Sequence, residues 1–413
     1  FLDSRPFGNK WAELTWAQNY LPEKHFRIRS LLLRKRVMQV AAKRHVLWVN
    51  GWPQIGGAER AQLTLFRELR DQYRFTVVLP SEADTKLIDE VRVLGFEVKH
   101  APLTSLRRTL NPFALARFGG RLAVANLDIF KILNQERFDL VHTAYSYDIP
   151  FCAIAARIKK LPVFWLIENP EIFNRVKVGI LNSFSLHGIG GTSTKILSEA
   201  VHSGLRANRS AWIPNGYDDH IFHPNLSPRS PSSGSAVKIG FAGIFSERKG
   251  VLELCRAFGA LRKILEDKGA NSPQIELWLA GNGEAHYKKE IQKILEYYGI
   301  QNLVHFESAI HTPQKMFEFY QKLDLYVMLS KREGMSVAML EAMGSGVASA
   351  ILSPWGDDVI TDPQVGIRLT TDDPNAVAIA LLPIVLDANK RNDMARAGEA
   401  KVRAQFSSHQ AEK

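Results

Sequence analysis

Short apolar runs alternate with helix-period segments along most of this chain, and the alternation becomes regular at His45. His45 to Asn50, Arg74 to Leu79, Phe96 to His100, Phe138 to His142, Val163 to Ile167 and Leu186 to Gly190 read as strands. Between them Glu59 to Leu69, Asp84 to Leu94, Pro112 to Gln135, Ile149 to Ile158 and Thr194 to Ser203 carry apolar residues at helical spacing. Ala211 to Pro214 closes this first half. Strands that are apolar throughout, rather than at every second position, belong in a parallel sheet covered by helices on both faces.

The stretch Asn225 to Ser235, rich in serine and proline, has too little apolar content to pack and reads as a linker. After it the alternation restarts. Strands are predicted at Val237 to Ala242, Gln274 to Ala280, Leu303 to Phe306, Leu323 to Leu329 and Val347 to Ile351. Helices are predicted at Val251 to Leu265, Ala285 to Tyr298, Gln314 to Gln321, from near Ser336, at Pro374 to Leu386 and at Lys390 to Ala404. The division is therefore an appendage over 1–44, a first domain over 45–224, a linker over 225–236 and a second domain over 237–413. Two doubly wound α/β halves of this kind predict a cleft between the carboxyl ends of two sheets, where ligands bind.

Composition narrows the picture only in places. Hydrophobic residues make up 46% and charged residues 23%, a globular balance. No apolar run reaches the length needed to cross a bilayer, and Cys152 and Cys255 stand far apart, which suits a reducing, cytoplasmic setting. The first residue is Phe and relatives continue beyond the last, so a longer natural protein is expected. The net charge of +11 is uneven: residues 24–44 hold eight Lys and Arg and no Asp or Glu, interleaved with Phe26, Leu31, Leu32 and Val37. Such a segment suits an anionic membrane surface, on the inner face of the membrane for a cytoplasmic chain. It serves equally well as a linker helix with its cations solvated. Nucleic acid is a partner that the charge alone would suit, and it is set aside.

The chemistry concentrates after the strand Leu323 to Leu329. A polar loop, Ser330-Lys-Arg-Glu-Gly334, leads to a helix in which Val337, Leu340, Glu341 and Gly344 share helical spacing. The N–H groups of Gly334, Met335 and Ser336 then lie unpaired at a helix N-terminus, as a phosphate cradle requires. Glu333 stands before the helix and Glu341 within it, although glutamates eight positions apart also occur without a shared role.

The order of motifs resembles the family-four retaining glycosyltransferases of the GT-B fold. Gly56-Gly-Ala-Glu59 looks like that family's Gly-Gly-x-Glu loop, and Ile213-Pro-Asn-Gly-Tyr-Asp218, with Phe222 and Pro224, like its inter-domain signature. Gly243-Ile-Phe-Ser-Glu-Arg-Lys-Gly250 looks like its phosphate-clamping loop, and Leu279-Ala-Gly-Asn-Gly283 precedes the Glu-x7-Glu box. The resemblance implies transfer of a sugar from a nucleoside diphosphate donor to a glycan or lipid-linked acceptor in bacterial surface polysaccharide or glycolipid synthesis. It implies no resident cofactor and no tightly held metal.

In that scheme Lys249 and Arg248 bring cations to the diphosphate, and Glu341 accepts the ribose hydroxyls. Glu333 binds sugar hydroxyls, and Gly56 and Gly57 let the backbone approach the donor. Two departures stand out. Ile244 occupies the place of the clamp loop's usual arginine, which leaves a non-catalytic binding or regulatory subunit as the alternative. Of the usual His-x-His pair only His142 is present, with Glu168 near a position where relatives have histidine. His142 and Glu168 are thus candidates for touching acceptor or donor hydroxyls, the other reading of His142 being a strand-end histidine satisfied by backbone groups. Asp218-Asp-His-Ile-Phe-His223 has metal-ligand residue types but reads as a loop anchored by Phe222, and Gly188 to Ser193 as a turn before a helix.

Overall fold

The computed structural model describes residues 43–104, 111–224, 236–308, 310 and 312–408 of the chain. The basic segment expected to meet a membrane falls outside these, apart from Lys43 and Arg44, and so does nearly all of the serine-rich linker. The chain forms two compact units, one ending at Ile213 and the other built chiefly from Pro214 onward, with Thr192–Lys195 belonging to the second.

The first unit runs β1 (Arg44–Val49), α1 (Gly57–Leu69), β2 (Tyr73–Pro80), α2 (Thr85–Val93), β3 (Glu97–Ala101), α3 (Pro112–Gln135) and β4 (Leu140–Thr143). It continues with α4 (Ile149–Ile158), β5 (Val163–Ile167), α5 (Arg175–Ser183), β6 (Leu186–Gly191), α6 (Thr194–His202) and β7 (Ala207–Trp212). Its strands pair in parallel in the order β3-β2-β1-β4-β5-β6-β7. The central strands β1, β4 and β5 are buried almost throughout, as a sheet covered on both faces requires. The order reverses between β1 and β4, so the loops that leave their carboxyl ends diverge and open a crevice.

The second unit runs β8 (Val237–Ala242), α7 (Val251–Asp267), β9 (Ile275–Ala280), α8 (Ala285–Tyr298), β10 (Val304–Glu307), α9 (Pro313–Lys322) and β11 (Leu325–Met328). After these come α10 (Val337–Gly344), β12 (Ala348–Leu352), β13 (Ile367–Leu369), α11 (Pro374–Leu386) and α12 (Ala388–Phe406). This sheet is parallel too, in the order β10-β9-β8-β11-β12-β13, with its switch point between β8 and β11. The inter-domain signature is built into this unit. The N–H of Tyr217 donates to the carbonyl of Phe406 at the end of α12, and Phe222 is buried edge-on against Tyr320.

Both units are thus Rossmann-like α/β layers. Three elements were not anticipated: α5, β7 and β13. Among the described residues no helix is long and apolar enough to cross a membrane.

Candidate active site

In the second unit three loops leave the sheet at its carboxyl end: Gly243–Gly250 after β8, Gly281–Glu284 after β9 and Leu329–Ser336 after β11. They are locked together through backbone. Phe245 donates its N–H to Asn282, and Lys331 donates its N–H to the carbonyl of Arg248. The approach is closest at two glycines. A Cβ on Gly281 would stand 1.9 Å from the Gly243 carbonyl oxygen, and one on Gly250 would stand 2.2 Å from that of Leu329. Gly250 also has φ +66°, so only glycine joins the clamp loop to α7 without strain.

This packing delivers Arg248 and Lys249 to Glu333. Lys249 Nζ lies 2.6 Å from Glu333 Oε1, and Arg248 Nη1 lies 3.1 Å from the same oxygen while donating to the Arg332 carbonyl. Glu333 is 7% exposed, so the pair works in a partly dehydrated setting. Ile244, in the place of the expected arginine, is exposed, and the cations come from the far end of the loop instead.

Ser336 caps α10, its hydroxyl accepting from the N–H of Met339 at 3.4 Å. The helix therefore begins one residue beyond the serine, at Val337. The N–H groups of Gly334, Met335 and Ser336 donate to no protein group among the described residues, while the Met335 carbonyl is held by Asn215 Nδ2 at 2.8 Å. A helix start with open donors beside a lysine is an anion site in charge and in hydrogen-bonding capacity. Glu341 accepts from the buried Tyr320 hydroxyl at 3.1 Å. Burial, and then the charge of Glu341, holds the Tyr320 phenol well above its ordinary pKa, so Tyr320 acts as a donor.

The first unit holds a separate polar cluster where β1, β4 and β5 end. Glu59 accepts the Gly56 N–H at 3.0 Å and the Tyr145 hydroxyl at 2.6 Å. Asp148 accepts the N–H of Tyr145 at 3.1 Å, and Glu171 accepts the Ser146 hydroxyl at 2.7 Å and pairs with Lys177. Burial pushes the carboxyls of Glu59, Asp148 and Glu168 up, only partly opposed by the hydrogen bonds they accept. A Cβ on Gly57 would meet nothing within 4 Å, which leaves open space beside the first turn of α1.

His142 does not lie among these groups as an open side chain. It sits within β4, with its ring between Phe66 and Phe164, and its Nε2 bonds Gln62 Oε1 at 2.8 Å. Gln62 in turn donates to Glu168. With the Gln62 amide oriented in this way, Nε2 carries the proton. Burial pushes the imidazole pKa down to about 4, against a smaller raising effect from the Phe164 backbone. A neutral, enclosed imidazole is a positioning group for Gln62 and Glu168. Asp218 is similarly committed to its loop, its carboxylate accepting the His220 N–H at 3.2 Å.

The sequence reading did not single out Gln62, Tyr145, Asp148, Glu171 or Tyr320. The signal for the first unit was the polar, aromatic run Tyr145-Ser-Tyr-Asp148 directly after a buried strand at the switch point.

Comparison with known proteins gives two family matches. Residues 236–387 match the Glycosyl transferases group 1 model, and residues 55–220 match Glycosyltransferase Family 4. The chain is similar to the Putative glycosyltransferase EpsF of Bacillus subtilis (strain 168), 24% identical over 357 residues, which cover 82% of this chain and 86% of EpsF. It is 29% identical to Protein CapJ of Staphylococcus aureus over 144 residues, 33% of this chain and 34% of CapJ. Among solved structures, Anabaena Alr3699/HepE in complex with UDP-glucose superposes with a TM-score of 0.70 at 20% identity. That match covers 89% of this chain and 97% of HepE.

Proposed function

The chain belongs to the group 1, family-four glycosyltransferases with the GT-B fold, and from that premise we propose that it transfers a sugar from uridine diphosphate sugar to a hydroxyl acceptor, with retention at the anomeric carbon. The donor class is supported by HepE, a structural relative solved with UDP-glucose. The acceptor we assign is a hydroxyl of a bacterial surface glycan or its lipid-linked precursor, in keeping with the bacterial relatives.

The observation that carries this reading is the conjunction of three open N–H groups at Gly334–Ser336 with Lys249 and Arg248 on Glu333. A diphosphate placed there gains the backbone donors and displaces Glu333 as partner of the two cations. Glu333 is then released to bind sugar hydroxyls, and Glu341, held by Tyr320, is placed one and a half turns into α10 to accept ribose hydroxyls. As the bond between the anomeric carbon and the phosphate oxygen breaks, negative charge grows on the leaving diphosphate and the fixed donors stabilise it most there. The acceptor oxygen attacks from the same face and its proton passes to the departing phosphate oxygen. No protein nucleophile is required.

Calorimetric titration with UDP and turnover of uridine, guanosine and adenosine diphosphate sugars test the reading. Lys249→Ala is expected to lower kcat/KM at least roughly 100-fold, the scale of losing one preorganised charge donor. Glu333→Gln is expected to bind UDP as tightly or more tightly, because a competitor for Lys249 is gone, while turnover falls. Failure of the wild-type chain to bind or turn over any nucleotide sugar would overturn the reading.

A further inference from the structure

At the carboxyl end of the second sheet one side chain ties three loops together and is none of the groups placed on the diphosphate. Lys331 follows the buried Ser330 in the segment that leaves β11. Its N–H donates to the Arg248 carbonyl at 2.8 Å, which joins that segment to the clamp loop. Its Nζ donates to Glu253 Oε1 at 3.0 Å and lies 3.6 Å from Asp372 Oδ2. Glu253 stands in the first turn of α7, just past Gly250, where the positive end of the helix favours a carboxylate. Asp372 lies between β13 and the cap of α11. One lysine thus spans the segments that follow β8, β11 and β13.

Such contacts do little for overall stability. Lys331 and Asp372 are 36% and 41% exposed, and ion pairs at that level of exposure contribute little to folding. Their consequence is local. After Lys331 come the Arg332 carbonyl that accepts from Arg248, then Glu333, then the open N–H groups of Gly334–Ser336. Lys249, on the facing loop, has to meet the same diphosphate, so a small shift of one loop against the other separates the two sets of donors. Lys331 is not a third cation for that ligand. Two carboxylates already neutralise it, and the hydrogen bond to Glu253 holds its ammonium above the ordinary lysine range. We infer that Lys331 is a positioning residue, a strut between Glu253 and Asp372 that holds Glu333 and the Gly334–Ser336 donors in register with Lys249. Its catalytic value rests on the donor reading above, with a diphosphate at that helix start; the strut itself does not.

Lys331→Met in the full chain tests the role. Fixed donors matter most where charge grows in the transition state, so kcat with a uridine diphosphate sugar is expected to fall roughly tenfold. UDP affinity by calorimetry is expected to change less than about threefold and to keep its salt dependence. Lys331→Arg is expected to restore turnover, because the charge still meets both carboxylates. Glu253→Gln is expected to reproduce the loss, and the double variant to be no worse than either single one. Without nucleotide, amide exchange at residue 331 and at Gly250, whose N–H groups bond Arg248 and Glu247, is expected to quicken while melting stays near that of wild type. UDP affinity that drops as far as in Lys249→Ala, with a weaker salt dependence, would make Lys331 a phosphate ligand and overturn the inference. So would an unaltered kcat in Lys331→Met, or additive losses in the double variant. If the wild-type chain binds no nucleotide sugar, the donor reading fails by itself, and the strut then stands or falls with the exchange at residue 331 and Gly250.

Discussion

His142 shows how much a single burial decides. Between two phenyl rings and with Nε2 committed to Gln62, it is held neutral, its pKa near 4 rather than the ordinary 6.5. The unfolded chain therefore takes up the proton first as pH falls. His142's contribution to stability is complete above pH 6.5 and is lost on the way down to about 4, up to roughly 3 kcal/mol in all. Glu168 acts in the opposite sense, since burial raises its carboxyl and favours folding only while it keeps its proton. The clean readout is the difference between wild type and His142→Gln, which keeps a donor for Gln62. In urea unfolding from pH 4 to 7 the stability of wild type is expected to rise relative to that of the variant as pH climbs from about 4 to 6.5, and parallel curves would contradict the assignment. The histidine was visible in the sequence as one member of an incomplete pair, but not its fate. That depends on Phe66 and Phe164, far apart in sequence, the first meeting the ring edge-on and the second stacking on it. Glu333 and Lys249 were legible because each lies in a short local pattern, a loop before a helix. The Glu59–Tyr145 contact joins residues 86 positions apart and has no such local mark.

Elements were legible where burial imposes a period. The strands at the centre of each sheet and the helices covering them appear nearly where the apolar pattern puts them, and α8 and α11 coincide with it end to end. The omissions share a cause. β7 has no buried residue at all, so it carries no apolar run. β13 is three residues long. α5 buries only Val178 and Leu181 and exposes Val176 and Ile180, and its apolar residues alternate as a strand's would. At the same scale lies the clamp loop, whose junction with α7 rests on Gly250. Alanine there would have to keep φ +66° with its Cβ 2.2 Å from the Leu329 carbonyl oxygen. The left-handed strain alone costs about 1–2 kcal/mol, and the clash must shift either the clamp loop or the end of β11. Gly250→Ala is thus expected to lose at least about 2 kcal/mol in chemical denaturation and to weaken UDP binding together with stability, because Lys249 moves with the loop. A variant as stable as wild type would mean that the contact yields without resistance.

At the scale of the whole molecule the two units are unequal in what they are built to bind. The second concentrates its open donors and cations on one helix start, whereas the first keeps a cluster of carboxyls raised by burial. Each has its own parallel sheet and its own buried core, so each has the means to unfold as a cooperative body. A ligand stabilises only the state that binds it, by an amount set by its concentration relative to Kd: about 2.7 kcal/mol at a hundredfold excess over Kd. If UDP contacts the Gly334–Ser336 donors and Lys249, that stabilisation enters through the second unit. Calorimetry with saturating UDP is then expected to raise the transition belonging to the second unit, and amide exchange is expected to slow in the Gly243–Gly250 and Leu329–Glu341 segments first. Lys249→Ala should remove both effects while leaving the ligand-free transitions in place, since Lys249 is an ion-pair partner and no part of the core. Protection that appeared only around Glu59 and Tyr145 would move the nucleotide to the first unit and dissolve the division of labour between the two sheets.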